Sequence, residues 1–178
     1  MITSVTTGPE SEPISLDEVK SSLRITDNAS DGTLLNLITV ARQNVESFLR
    51  RSLMPQEITG YLDQLDGDVI DLPFPPIRSV TSLSYTDSDG AWQPVSNDVY
   101  ALDGPGMRIL RAYGKSWPRS RSGKSTVKIV YEAGYENAES VPAVIKAAII
   151  CMVAHLYDGD EKNMKAAEAL LWPYRDLR

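Results

Sequence analysis

Two short stretches, Gly114-Lys115-Ser116 and Gly123-Lys124-Ser125, end as a phosphate-binding loop ends, where backbone amides and a lysine cradle phosphate at a helix start. That chemistry also needs a glycine five residues upstream, and Ile109 and Pro118 stand there instead. The residues after Ser125 are strand-like, so no helix terminus would face the phosphate. Asp87-Ser88-Asp89 and Asp158-Gly159-Asp160 begin like calcium loops, but Ala91 and Lys162 occupy the fifth position, where a side-chain oxygen is required. Both read as turns. One histidine and one cysteine are too few for a closed zinc site. His155 has the chemistry of a general base, yet its helical neighbours are apolar and no nucleophile is placed beside it. It reads as a partly buried histidine at a helix end or subunit contact. The carboxylates are scattered through turns and helix starts, and no pair has the spacing of an acid-base couple. No catalytic residue, cofactor or metal is therefore expected, and the chain is not read as an enzyme.

The sharpest electrostatic feature lies between Gly104 and Tyr131. Arg108, Arg111, Lys115, Arg119, Arg121, Lys124 and Lys128 fall there without an acidic residue. The chain as a whole carries −6, so taking away this +7 leaves −13 on the remainder, and charge is expected to be segregated into a basic side and an acidic one. Within the basic segment 108–128, Arg119, Arg121 and Lys124 form a basic loop, expected to be flexible, beside Trp117. Three readings stay open for it: contact with DNA phosphates, docking on an acidic partner subunit, or a solvated hairpin tip.

These residues must be held by elements that the pattern announces. After an extended arm (residues 1–13), Ser15-Leu16-Asp17-Glu18 matches a capping box, which starts a short helix running to about Arg24. A second start at Asn28-Ala29-Ser30-Asp31 leads into Leu34, Leu35, Ile38, Ala41, Val45, Phe48 and Leu49 at helical spacing, with Arg42, Gln43, Glu46 and Arg50 expected on the other side. From Glu57 the texture changes to short β-type runs. Val127, Ile129 and Tyr131 should share one core face, and Thr81, Leu83 and Tyr85 another. Asp87-Ser88-Asp89-Gly90 supplies a hairpin turn, while Pro73, Pro75 and Pro76 read as a sheet edge or a rigid connection. From Pro142 the apolar pattern lengthens into a central core helix whose Val144, Ile145, Ala148, Ile149, Met152, Val153 and Leu156 cover more than one face. It ends near Gly159, and a last amphipathic helix spans about Asn163 to Leu171. The expectation is an α+β fold, one domain over 1–178, with helices at 14–54 and 142–171, an antiparallel β insertion at 57–133, and a tail at 172–178.

With 42% hydrophobic and 24% charged residues, the composition is that of a globular chain with enough length to bury a core. The start of the chain has neither the basic residues nor the apolar run of an export signal, so export is not expected. The longest apolar segment, broken by Lys146 and His155, is shorter than the roughly 20 residues that cross a bilayer. Cys151, alone and within an apolar run, reads as a buried small hydrophobe.

A series of short segments runs from near the start of the chain: Pro13 to Ile25, the helix from Leu34 to Leu49, Leu72-Pro73-Phe74-Pro75-Pro76-Ile77-Arg78-Ser79-Val80, and Tyr85 to Gly90. Further on come Val130-Tyr131-Glu132-Ala133-Gly134-Tyr135, Val141 to Ile149, and the ending Leu170-Leu171-Trp172-Pro173-Tyr174-Arg175. In this order the segments resemble the phage head-to-tail connector (adaptor) family. The resemblance implies a structural protein of a tailed phage, prophage or gene transfer agent, assembled in the bacterial cytoplasm and resident in the virion. It implies a homo-oligomeric ring of about twelve copies beneath the portal protein. Tail or stopper proteins dock on such a ring, and double-stranded DNA passes non-specifically through its centre. No membrane partner is implied. Trp172, Tyr174 and Arg175 are candidate portal or subunit contacts, because aromatic residues and arginine dominate interface energy. Trp172 and Tyr174 would otherwise fold back on their own core. The alternative function is a DNA-binding accessory protein that uses segment 108–128.

Overall fold

The computed structural model describes residues 1–103 and 108–175; positions 104–107 of the expected β insertion and the end of the expected tail lie outside them. Among these residues the elements run β1 (Ile2–Thr7), α1 (Leu16–Leu23), α2 (Asp31–Leu49), β2 (Gln56–Leu62), β3 (Val69–Asp71) and β4 (Ile77–Thr86). After them come β5 (Trp92–Pro94), β6 (Tyr100–Leu102), β7 (Arg108–Arg111), β8 (Val127–Ala133), α3 (Ala143–Asp158) and α4 (Glu161–Leu171). The class is α+β, as the sequence led one to expect. The chain forms two compact units, one from residues 1–8 and 55–134, the other from 9–54 and 135–178.

In the β unit, one antiparallel sheet has the order β1-β2-β8-β4-β5, and a second has the order β3-β7-β6. Strand β8 lies at the centre of the larger sheet, and its alternation is visible in burial: Val127, Ile129, Tyr131 and Ala133 face the core while Lys128, Val130 and Glu132 do not. They pack with Ile58, Ile70, Leu72, Ile77, Leu83, Val95 and Ile109. On β4 the expected face is interrupted. Val80 pairs with Tyr131 and Ser82 with Val130, so Thr81 is an extra residue in a bulge; it is exposed while Leu83 is buried. Residues 2–7, expected as an arm, form the edge strand β1 against β2. The Asp87 turn joins β4 to β5 as expected, with the Asp87 amide donating to the Ala91 carbonyl.

The helical unit is built on α3, which packs against α1, α2 and α4. Ile145, Ala148, Ile149 and Val153 are fully buried against Leu34, Ile38, Ala41, Val45 and Leu49 of α2. Val144 and Leu156, expected within this core, stay exposed. Helix α1 begins with the full capping box at Ser15 and Glu18, and Arg24, Arg50 and Gly159 close α1, α2 and α3 in the left-handed conformation. The expected polar face of α2 is corrected by the fold. Arg42 and Glu46 are buried, because the stripe at 34, 38, 41, 42, 45, 46 and 49 is wide enough to carry both under cover. No helix among the described residues is long and apolar enough to cross a membrane.

Candidate assembly interface

The chain's last described turn forms a surface cluster on the helical unit. Helix α4 passes directly into a 3-10 turn, Trp172–Tyr174, which places its aromatic residues at the end of α2. The Trp172 and Phe48 rings lie 6.4 Å apart at 53°. The Arg175 guanidinium sits 5.3 Å from the centre of the Phe48 ring and 5.7 Å from that of Trp172, within cation-π range of both. Arg51 Nε donates to the Tyr174 carbonyl at 3.0 Å and ties the turn down. Tyr174 packs partly against the core, whereas Trp172 keeps 63% of its surface exposed. Trp172 and Arg175, named from the sequence, are thus brought together on Phe48 of their own unit, and Tyr174 packs partly against that unit's core.

A second feature of the helical unit escaped the sequence reading. Arg42 Nε donates to Glu12 at 2.7 Å and Arg42 Nη1 to Glu46 at 2.7 Å. The other Glu46 oxygen accepts the Leu53 amide at 2.8 Å, and Thr39 Oγ1 donates to Glu12 at 2.8 Å. Burial pushes the Glu46 carboxyl above its ordinary value, against the pull of the Leu53 amide and Arg42. The network clamps the segment before α1 and the segment after α2 onto one helix. Its signal was the placing of Arg42 and Glu46 between Ile38, Val45 and Leu49.

That clamp shapes a groove of about 510 Å³ lying wholly in the helical unit. Pro13, Ile14 and Ile38 are its buried lining, while Leu35 remains 52% exposed. Glu12, Glu18, Glu139 and Lys146 also border it. Hydrogen bonds from the Ser15 backbone, then from its side chain, hold the Glu18 carboxyl below its usual value and therefore charged.

In the β unit the basic segment divides into two halves. Arg108 pairs with Asp71 at 3.1 Å, Arg111 with Asp68, and Lys115 with Asp98. These cations are balanced within their own unit, so the expected basic side shrinks to Arg119, Arg121, Lys124 and Lys128. The first three are exposed and, among the described residues, form no ion pair. Their loop, expected to be flexible, is anchored at several points. Trp117 Nε1 donates to the Gly67 carbonyl at 2.8 Å, the Arg121 amide to Thr86 at 2.8 Å, and the Ser125 amide to the Asp63 carboxylate at 2.8 Å. With a carboxylate on the Ser125 amide, Gly123-Lys124-Ser125 presents no phosphate cradle.

The remaining reactive types are also engaged. Asp87 accepts from Asp89, Ala91 and Gln93, with the Gln93 bond foremost in holding its carboxyl below the usual range. That is the work of a turn. His155 Nδ1 lies 3.0 Å from the Asp160 carbonyl, and Cys151 is partly buried against the helical core, where burial pushes its thiol up. Among the described residues no group of three or more His, Cys, Asp or Glu is arranged to hold a metal.

Comparison with known proteins places these surfaces beside known folds. The family described as phage gp6-like head-tail connector protein matches residues 13–90, a segment that holds α1, α2 and β2 to β4. Residues 13–90 thus match the model of the family that the sequence resembles. Over its whole length the chain is similar in fold to parts of a gene transfer agent (GTA). A chain from the neck of the empty GTA particle, computed with C6 symmetry, gives a TM-score of 0.83 at 22% identity, covering 100% of this chain and 97% of that one. A chain from the virion of the native GTA particle gives 0.82 at 24%, with the same coverage. One from the neck of the native particle, computed with C12 symmetry, gives 0.81 at 22%, again with 100% and 97% covered. No curated protein matches the sequence.

Proposed function

We propose that this protein is a structural head-to-tail connector of a tailed phage or phage-like particle, a virion component assembled in the bacterial cytoplasm. About twelve copies form a ring that docks on the portal and carries the tail or stopper, with double-stranded DNA passing through. In this reading both units act together as one connector module. The observation that carries it is the family match over residues 13–90, joined to a fold shared end to end with the neck chains. The work is done by interfaces and not by catalysis. Trp172, Arg175 and Phe48 supply the residue types that anchor protein contacts, with Trp172 left open to a portal or neighbouring subunit. The test is electron microscopy of the purified protein, together with co-purification on the portal of the same particle. Rings or portal capture are expected; finding neither at high concentration overturns the proposal.

A second reading, a DNA-binding accessory protein, is favoured by the three exposed cations Arg119, Arg121 and Lys124. Phosphate contact through them requires affinity for duplex DNA that falls steeply with salt. Binding that is unchanged by salt, or by neutralising all three, removes this reading.

A further inference from the structure

We propose that the groove beside α2 is the socket for the basic loop, residues 113–124, of a second copy of this chain. The inference rests on the ring reading above and names the two faces that would meet in it. A ring needs heterologous contacts, in which one patch meets a different patch on the next copy. The socket has an apolar lining with Leu35 half open, and an acidic excess in Glu12, Glu18 and Glu139 against Lys146. Glu12 is committed to Arg42 and Thr39, and Glu18 to the capping box. Glu139 is exposed and, among the described residues, in no ion pair, so it is the carboxylate most available to a partner.

The loop is complementary in both respects. Arg119, Arg121 and Lys124 are exposed, and no acidic residue of their own chain pairs with them among the described residues. Tyr113 is fully exposed on the turn at Gly114, where a positive φ lets the chain reverse. An aromatic ring left open to solvent has the character of an interface anchor. The bonds from Trp117, Arg121 and Ser125 to the β unit hold the loop in shape before contact, which lowers the ordering cost of binding.

Two variants, Glu139→Lys in the socket and Arg119→Glu/Arg121→Glu in the loop, distinguish this contact from a folding defect and from phosphate binding. Self-association of each is followed by sedimentation velocity, alone and with the portal, after circular dichroism has shown native helix content. Each variant alone should assemble about tenfold more weakly or worse, because like charges then face each other across the contact. Mixed in equal amounts they should recover, since each loop can find a socket of opposite charge on the other variant. Recovery on mixing is something a folding defect cannot produce. Variants that assemble like the wild type, or a mixture that stays impaired, overturn the socket while the ring stands. Loss of DNA binding with assembly intact likewise overturns it, in favour of phosphate as the loop's partner. Wild-type protein that assembles neither alone nor on the portal overturns the ring itself.

Discussion

Arg42 is nearly enclosed, with its side chain 5% exposed between Glu12 and Glu46. Its value to the fold lies less in the attraction of the pair than in what its removal leaves behind, a buried carboxylate stripped of its charge partner. Arg42→Ala should cost about 3 kcal/mol, read as a shift of the urea midpoint. Arg42→Lys, which keeps a cation between the Glu12 and Glu46 carboxylates, should cost less than Arg42→Ala. A different residue-scale device is the Ser15 and Glu18 capping box, which lowers the Glu18 pKa in the folded state. A carboxyl lowered on folding stabilises above its ordinary value, and the benefit fades as pH falls through the lowered pKa. The difference in Tm between wild type and Glu18→Ala should therefore be constant near neutrality and close in acid. A difference that grows on acidification contradicts the assignment.

At the scale of elements, the basic loop and the aromatic turn show opposite ways of holding a surface group ready. The loop has no regular structure, and its shape depends on backbone and side-chain bonds to neighbouring strands. Asp63 is central, accepting the Ser125 amide through its carboxylate and the Thr126 hydroxyl through its carbonyl. Asp63→Ala should raise hydrogen exchange across residues 119–126 several-fold while β8 stays protected. Equal exchange in both proteins would show that the loop is held by other means. The aromatic turn, in contrast, is a direct continuation of α4, and Phe48 and Arg175 hold Trp172 by stacking. Trp172→Ala should leave stability within about 1 kcal/mol, because most of that side chain is already in water. Its effect should appear in portal capture.

For the molecule as a whole, charge is less divided than its linear order suggests. The β unit holds eight basic and ten acidic residues, a net −2. Arg108, Arg111 and Lys115 find three of those acids. What remains is a small basic patch on a weakly acidic unit, better matched to a defined acidic socket than to general coating of DNA. Assembly through such a contact should weaken as salt rises from about 50 to 500 mM, and only moderately, because apolar burial in the groove is not screened. Assembly indifferent to salt would leave no part for the charges, and sedimentation across that range decides it.

The sequence by itself determined the class of fold and carried the resemblance to the connector family. Spacing of apolar residues is a local property, so α2, α3 and the alternation in β8 were readable, as were the capping box and the Asp87 turn, whose chemistry is complete within a few residues. The ordered series of short segments pointed to the connector family for the same reason. Tertiary structure decided what lies far apart in the chain. Arg42 looked like a solvent-facing residue until Glu12, 30 positions earlier, covered it. Thr81 left the core because one extra residue in β4 shifts the pairing with β8, and the arm became a strand only by meeting β2. The basic run lost three of its seven charges to Asp68, Asp71 and Asp98, which chain order places well away from the cations they neutralise. Burial and pairing depend on distance in space, and a pattern along the chain encodes that distance only within a single element.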